Sequence, residues 1–156
     1  MNRTNLEYRM YFLVLGSLQG INKGIQCGHA ALEYVDEYGS NDDYRDFFEN
    51  DKTFIMLNGG TSNNGFDEDG KFLGSLNMIA DELNSNNINF AMFYEPDINN
   101  ALTAVCFLAD ERVYNKFIYP DYDSDNFTSY EQWLSDIGGT KNFILREILD
   151  GKKLAS

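Results

Sequence analysis

The sequence predicts an α/β domain with a mixed four-stranded sheet, in the order β-α-α-β-α-β-β, followed by a helical appendage at the carboxyl end. Apolar residues recur at helical spacing between the predicted strands. The link between the last two strands is also short, which favours antiparallel neighbours because parallel strands need a long crossover. Four short runs rich in β-forming residues predict the strands: 8–16, 53–57, 88–96 and 102–109.

The length of 156 residues suits one domain with a single core. We expect residues 1–113 to form the α/β domain. After Tyr114 the sequence becomes polar and studded with aromatic residues, and we expect 114–156 to form a linker and helices packed on the domain.

The first strand is predicted by YRMYFLVLG, which ends at a glycine. A helix from about Asn22 to Tyr38 follows, and Gly39-Ser40 ends it. At 100° per residue this helix has two distinct sides, and we expect the apolar side to face the core. The apolar side contains Ile25, Gly28, Ala31, Leu32, Val35 and Tyr38, and the polar side contains Gln26, His29, Glu33, Asp36 and Glu37.

A second and a third helix are predicted on either side of the second strand. Asn41-Asp42-Asp43 is typical of a helix cap, and the short helix after it should turn three rings inward: Tyr44, Phe47 and Phe48. The third helix is predicted by spacing of i, i+4, i+7 and i+11 among Phe72, Leu76, Ile79 and Leu83.

The appendage should contain two further helices. Thr128 or Ser129 can cap a helix that runs through Trp133. Gly138-Gly139 breaks it, and a final helix follows with an apolar side of Phe143, Ile144 and Ile148.

The charge is strongly acidic, with 25 acidic against 12 basic residues and a net charge of −13. Because phosphate backbones are bound mainly by Lys and Arg, any nucleic-acid function requires a local basic site. No apolar run is long enough to span a bilayer, no signal peptide is apparent, and Cys27 and Cys106 are isolated. These features predict a cytoplasmic protein that contacts no membrane.

Neither a cofactor nor a metal ion is predicted. Asp67, Glu68 and Asp69 lie in a polar, glycine-rich loop over 58–71, but they lack the spaced ligands of a calcium loop.

The start of the first helix is the best candidate site, because the histidine there is the only one in the chain. Free backbone amides near Gly24 would favour an anion or an oxyanion, and Lys23 adds a positive charge. Gln26 and His29 lie about one turn apart, so both side chains can point into one pocket at the carboxyl edge of the sheet.

The segment EPDINNALTAV is a second candidate. Its Asp and Asn residues are ordinary in a turn, where they bond to nearby backbone. Alternatively, Asp97 and Thr103 project from the hairpin toward the first helix, where the carboxylate could orient His29 or a water and the hydroxyl could bind a substrate oxygen.

Together the two segments resemble the signature segments of the type II peptidyl-tRNA hydrolase family, in particular its divergent bacteriophage versions. The resemblance covers roughly residues 8–112. KGIQCGHA supplies Lys23, Gln26 and the pair His29-Ala30, and the later segment supplies Asp97 and Thr103. Leu15-Gly16-Ser17-Leu18 stands where the family has Arg-x-Asp-Leu, so that arginine and aspartate are missing.

The resemblance implies hydrolysis, without a metal, of the ester between a peptidyl or N-blocked aminoacyl group and tRNA, in the cytoplasm of a host cell if a phage encodes the chain. In that case His29 or Asp97 would activate a water. Lys23 and the helix amides, including that of Gly24, would stabilise the oxyanion. Gln26 and Thr103 would hold the carbonyl and the ribose.

Two other functions stay open. The first is a catalytically inactive family member whose acidic surface binds a basic protein, for example in host interaction or anti-defence. The net charge and the missing arginine and aspartate favour it. The second is a small-molecule hydrolase or nucleotide-binding module that uses the same pocket. A homodimer is also left open.

Overall fold

The four strands form one mixed sheet, as the sequence predicts. The computed structural model describes residues 6–156. The sheet order is β2-β1-β4-β3, where β1 pairs in parallel with β2, and β4 pairs antiparallel with β1 and β3. The strands are β1 (Tyr8–Leu15), β2 (Phe54–Gly60), β3 (Ala91–Glu95) and β4 (Ala101–Asp110).

Helices cover both faces of this sheet. Helices α1 (Ile21–Tyr38) and α2 (Asp42–Asn50) pack on one face, and α3 (Ser75–Ser85) packs on the other with α4 (Glu111–Tyr114) and α6 (Thr140–Leu149). Helix α5 (Tyr130–Asp136) precedes α6, and a 3-10 turn, Pro96–Ile98, joins β3 to β4. Within the described residues, no helix is long and apolar enough to cross a membrane.

The central strands are buried on both faces, which explains their continuous apolar sequences. Side chains of β1 alternate: Phe12 points toward α1 and α2, whereas Leu13 points toward α3. Leu145 and Ile148 of α6 enter the same core as Leu13. The carboxyl-terminal extension therefore shares the core of the domain.

Several predicted boundaries shift by a few residues. Helix α3 begins at Ser75, so Phe72 lies before it, where its ring packs on Phe66 at a centroid distance of 4.5 Å. Strand β3 begins at Ala91 instead of 88. The predicted cap of α5 is confirmed, because the Ser129 hydroxyl accepts a hydrogen bond from the Gln132 amide. Phe48, expected to point inward, is partly exposed.

The buried side of α1 differs from the predicted one, although Glu33, Asp36 and Glu37 are exposed as predicted. The side chains that enter the core are Gln26, Cys27, Ala30 and Tyr34, whereas those exposed to solvent include Ile21, Ile25, Leu32 and Val35. Small residues on the sheet allow this side of α1 to approach closely: the Cys106 thiol donates to the Ala30 carbonyl at 3.4 Å. Apolar periodicity was an incomplete guide because a polar residue, Gln26, has hydrogen-bond partners on the sheet.

A bulge in β2 brings its backbone close to the core. Val14 pairs with Asn58 and Leu15 pairs with Gly60, which leaves Gly59 as an extra residue. A Cβ atom on Gly59 would lie 2.4 Å from Leu76 Cδ2 and 3.1 Å from the backbone of β1. The close packing of β2 against β1 and α3 therefore requires glycine at this position.

The outer side of β2 is partly covered by residues 153–156, which we call the edge segment. The Asn58 amide donates to the Lys153 carbonyl at 2.8 Å, and the Ala155 amide donates to the Met56 carbonyl at 2.9 Å. Leu154 lies opposite Leu57 in an antiparallel bridge. The edge segment thus adds a short antiparallel pairing to the sheet.

Gly59→Ala should lower the free energy of unfolding by about 1–3 kcal/mol, because the added methyl group overpacks a buried contact. Gly28→Ala is the matched control: a methyl group added there, inside α1, would have no atom within 4 Å, and the change should stabilise the helix by about 1 kcal/mol. Urea denaturation of both variants checks this. Equal stability of Gly59→Ala and the unmodified protein would contradict the described packing of β2.

Candidate active site

The candidate site lies at the edge of the sheet where β1, β2 and β3 end and β4 begins. Strand β3 ends there at Glu95, and β4 begins at Ala101. The loop after β1 leads at the same edge into the first turn of α1. This edge is where open α/β sheets usually bind ligands.

A second bulge directs Thr103 toward α1. Tyr94 pairs with Leu102 and Phe93 pairs with Ala104, so Thr103 is the extra residue on β4. Its hydroxyl lies 2.7 Å from Gln26 Oε1 and 3.2 Å from the Phe93 carbonyl. Bulges commonly re-aim a side chain near functional sites, and this one turns a buried hydroxyl onto the helix.

Gln26 links this hydroxyl to a carboxylate. Its Nε2 donates to Glu95 Oε2 at 3.0 Å, and its Oε1 accepts from Thr103. An ionised carboxylate can only accept hydrogen bonds, so the amide orientation of Gln26 is fixed by its two neighbours. The contacts join residues 69 and 77 positions apart in the chain. Together they form a chain of hydrogen bonds, Thr103–Gln26–Glu95, that runs from the buried hydroxyl to the partly exposed carboxylate.

Glu95 is a site residue that the sequence did not single out. Its pKa is lowered, first by the hydrogen bond from Gln26 and then by the Asp97 amide, so the carboxylate is ionised at neutral pH. Pro96 holds the preceding residue in an extended conformation, which keeps Glu95 at the end of β3. In the sequence, the feature that could have singled out Glu95 is its position directly before a proline at the end of a predicted strand.

His29 lies beside this chain. Its ring packs on Phe93 at a centroid distance of 4.4 Å, and it interacts electrostatically with Glu95. Within residues 6–156, Nδ1 of His29 is a buried side-chain atom without a hydrogen-bond partner, although the residue as a whole is partly exposed. Burial of an unpaired polar atom is costly, so a nitrogen in this state is unusual in a purely structural histidine.

Lys23 points elsewhere. Its ammonium donates to the Leu18 carbonyl and, at 2.9 Å, to the Ser156 carbonyl of the edge segment. Among the described residues, the Lys23 ammonium makes no hydrogen bond to the side chains of Gln26 or His29. The predicted grouping of the lysine with these two side chains is therefore absent from this arrangement.

Gly24 and Asp97 lie near the site without joining the chain of side-chain bonds. Gly24 is exposed in the first turn of α1, and the amides of Asn22 and Lys23 already donate to loop carbonyls. Because α1 begins at Ile21, the amides of its second turn belong to the helix. Asp97 is exposed, and its amide donates to Glu95 Oε1 at 3.3 Å.

Cys27 does not supply a nucleophile. It follows Gln26 but is buried, and burial raises the pKa of its thiol to about 12. A thiol at neutral pH attacks weakly because the thiolate is the reactive form. The chemistry that this site can perform is therefore proton transfer through His29, with Glu95 ionised beside it.

A cavity of about 660 Å³ lies away from these residues, between the end of β2, α3 and α6. Its lining includes Ser75, Glu82, Glu147, Lys152 and Lys153. The lining carries both acidic and basic side chains. It does not include Thr103, Gln26 or Glu95.

The chain matches no protein-family model, and no curated protein matches it. A functional interpretation therefore depends on the geometry around Gln26, His29, Glu95 and Thr103 and on the resemblance of the two signature segments.

Gln26→Ala should raise the pKa of Glu95, because the Gln26 amide is the largest cause of its lowered value. The carboxyl carbon of Glu95, followed by NMR across pH, measures this. The pKa of Glu95 in the folded protein lies below its ordinary value of 4.5. The stability that the Gln26–Glu95 hydrogen bond adds is therefore present above pH 4.5 and is lost as the pH falls through the pKa of the folded protein. Gln132→Ala, at an exposed position on α5, is the control and should leave the titration of Glu95 unchanged.

Ala155→Pro should make Lys23 more reactive toward an acylating reagent. Proline at 155 removes the amide that donates to Met56 and so releases Ser156 from Lys23. Leu154→Pro is the control and should leave the reactivity of Lys23 unchanged. Both hydrogen bonds to β2 remain in it, since they use the Lys153 carbonyl and the Ala155 amide. Mass spectrometry of acylated Lys23 compares the two variants, and equal labelling would show that the edge segment does not shield this lysine.

Proposed function

We propose that the protein hydrolyses the ester joining a peptidyl or N-blocked aminoacyl group to tRNA. One observation carries the proposal: the hydrogen-bonded chain Thr103–Gln26–Glu95 lies beside His29, at the edge of the sheet where α/β folds bind ligands. Gln26, His29 and Thr103 are also residues on which the resemblance to type II peptidyl-tRNA hydrolases rests. Such an enzyme would act in the cytoplasm, where its substrate is.

In this mechanism His29 acts as the general base. A water held by the imidazole attacks the ester carbonyl carbon while His29 takes its proton. The tetrahedral intermediate then collapses, the bond between carbonyl carbon and ribose oxygen breaks, and the ribose oxygen receives the proton from His29. General acid–base catalysis of this kind contributes about 10²–10⁴-fold to the rate.

The neighbouring residues position the base. Ionised Glu95 favours the positive charge that forms on His29 during proton transfer. Gln26 fixes Glu95, and Thr103 fixes Gln26. Because Gln26 and Thr103 are buried with their polar atoms engaged, their assigned role is positioning, in place of direct contact with the carbonyl and ribose.

The helix dipole favours negative charge toward the amino-terminal end of α1, but the amides of Asn22 and Lys23 are engaged by loop carbonyls, which leaves the dipole and Lys23 to stabilise an oxyanion. Lys23 contributes there only after its ammonium leaves the carbonyls of Leu18 and Ser156. Asp97, exposed beside Glu95, faces solvent at the same edge and is available to a water or a ribose hydroxyl.

The charge distribution favours a second candidate, a non-catalytic domain that binds a basic protein. The net charge is −13. Within residues 6–156, ion pairs with carboxylates engage Arg9, Arg45, Arg112, Lys116 and Arg146. These five cations are thus less available for phosphate contacts, which are the main source of affinity for tRNA.

His29→Ala should lower kcat/KM for N-acetyl-aminoacyl-tRNA by about 10²–10⁴-fold without unfolding the protein. Glu95→Gln should lower it less, because the base remains but loses its ionised neighbour. Glu33→Gln, an exposed change on the same helix, is the control and should retain full activity. Release of the N-blocked amino acid measures turnover, and circular dichroism verifies folding.

Full turnover by His29→Ala would reject the assignment of the base. Absence of turnover in the unmodified protein, together with tRNA binding that does not weaken as salt rises, would favour the protein-binding function, since phosphate contacts imply a steep salt dependence.

A further inference from the structure

The outward side of α1 carries an apolar stripe that nothing else in the described chain covers. Ile21 is 80% exposed and Leu32 is 69% exposed, and Ile25 and Val35 are exposed on the same side. We call these residues, with Gly28 between them, the α1 stripe. A contiguous exposed apolar surface of this kind usually marks an interaction site.

The spacing of the α1 stripe is that of a coiled-coil seam. Its members lie at intervals of four, three, four and three residues, which is the alternation of the a and d positions of a heptad. Gly28 lies near the middle, and a methyl group added to it would have no atom within 4 Å. The opposite side of α1 is already buried on the sheet. The α1 stripe is therefore shaped to receive one further helix.

A small apolar cavity adjoins the stripe at Val35, between α1 and α2. It has a volume of about 180 Å³, and its lining is mainly apolar, with Ala31, Tyr44, Phe47 and Phe54 beside a single charged residue, Lys52. Ligand pockets usually measure about 300 Å³ or more, so this cavity suits one apolar side chain better than a whole small molecule. An anchoring side chain in a pocket is the common form of an interface hot spot.

The carboxyl-terminal half of α1 carries three carboxylates, and at 100° per residue Asp36 borders this stripe. Glu33 lies farther round the helix, and Glu37 lies on the side opposite the stripe. No basic residue occupies the last turn of α1, although the negative end of the helix dipole favours cations there. Asp36 is therefore placed where a positively charged side chain of a partner would stabilise it.

We propose that the α1 stripe binds an amphipathic helix of another protein, with an apolar heptad seam and Lys or Arg along the side that meets Asp36. An apolar side chain of that helix enters the cavity beside Val35. A second copy of this chain is disfavoured because each copy carries a net charge of −13. The proposal is independent of ester hydrolysis at His29.

The probe is a synthetic helical peptide of three heptads with Leu at the a and d positions and Lys at the flanking positions. A second peptide carries Glu in place of Lys. Fluorescence anisotropy measures the affinity of each for the full chain. Leu32→Asn should weaken binding of the Lys peptide by about tenfold or more, whereas Leu73→Asn, an exposed leucine before α3, should not.

The charge is tested by Asp36→Asn, with Asp81→Asn at an exposed position on α3 as the matched control. Asp36→Asn should weaken binding about two- to fivefold at low salt, as expected for an exposed ion pair, and Asp81→Asn should have no effect. NMR shifts on adding the Lys peptide should concentrate on α1 and α2, and circular dichroism should show that all variants are folded.

Three results would overturn the proposal. The first is equal affinity for the Lys and Glu peptides. The second is equal loss of affinity in Leu32→Asn and Leu73→Asn. The third is self-association in sedimentation that Leu32→Asn abolishes, which would assign the α1 stripe to a second copy instead. Preferential binding of the Lys peptide, lost only in the variants of α1, supports it.

Discussion

The hydrogen bonds of the Gln26 side chain determine how the first helix meets the sheet. Thr103 and Glu95 present a donor and an acceptor at the beginning of β4 and the end of β3, and only an inward-facing amide satisfies both. Once Gln26 faces the sheet, Cys27, Ala30 and Tyr34 must follow it into the core. The same rotation places His29 against Phe93 and leaves the α1 stripe in solvent. The candidate site and the candidate interface therefore have one physical origin.

Strand runs and the cap of α5 were predictable because they depend on local sequence, whereas Asn41, predicted to cap α2, makes no side-chain cap hydrogen bond. The apolar run of β1, the short link between β3 and β4 and the Ser129 cap each act over a few residues. The inward side of α1 was not predictable from its own periodicity, since it depends on partners about 70 positions away. Glu95 was missed for the same reason: only the pairing of β3 with β4, and the bulge at Thr103, bring it to Gln26.

The acidic surface and the histidine site make different demands on the molecule. A tRNA substrate needs cations at the approach to His29, but Lys23 is engaged by carbonyls and many other cations pair with carboxylates. A basic protein partner needs the carboxylates themselves. The α1 stripe lies directly beside His29 in sequence, so a helix bound there would border the site. Protein binding and catalysis could thus coexist as neighbouring functions on one helix.

The edge segment has a further consequence for solubility. Strand β2 is the outer strand on its side of the sheet, and Phe54 and Met56 on it are 51% and 40% exposed. An open strand with such residues is a template for pairing with another molecule and for aggregation. Residues 153–156 engage two of its outward backbone groups, the Asn58 amide and the Met56 carbonyl, and exposed Lys153 places a charge beside them. The edge segment thus hinders the pairing of β2 with a strand of another molecule.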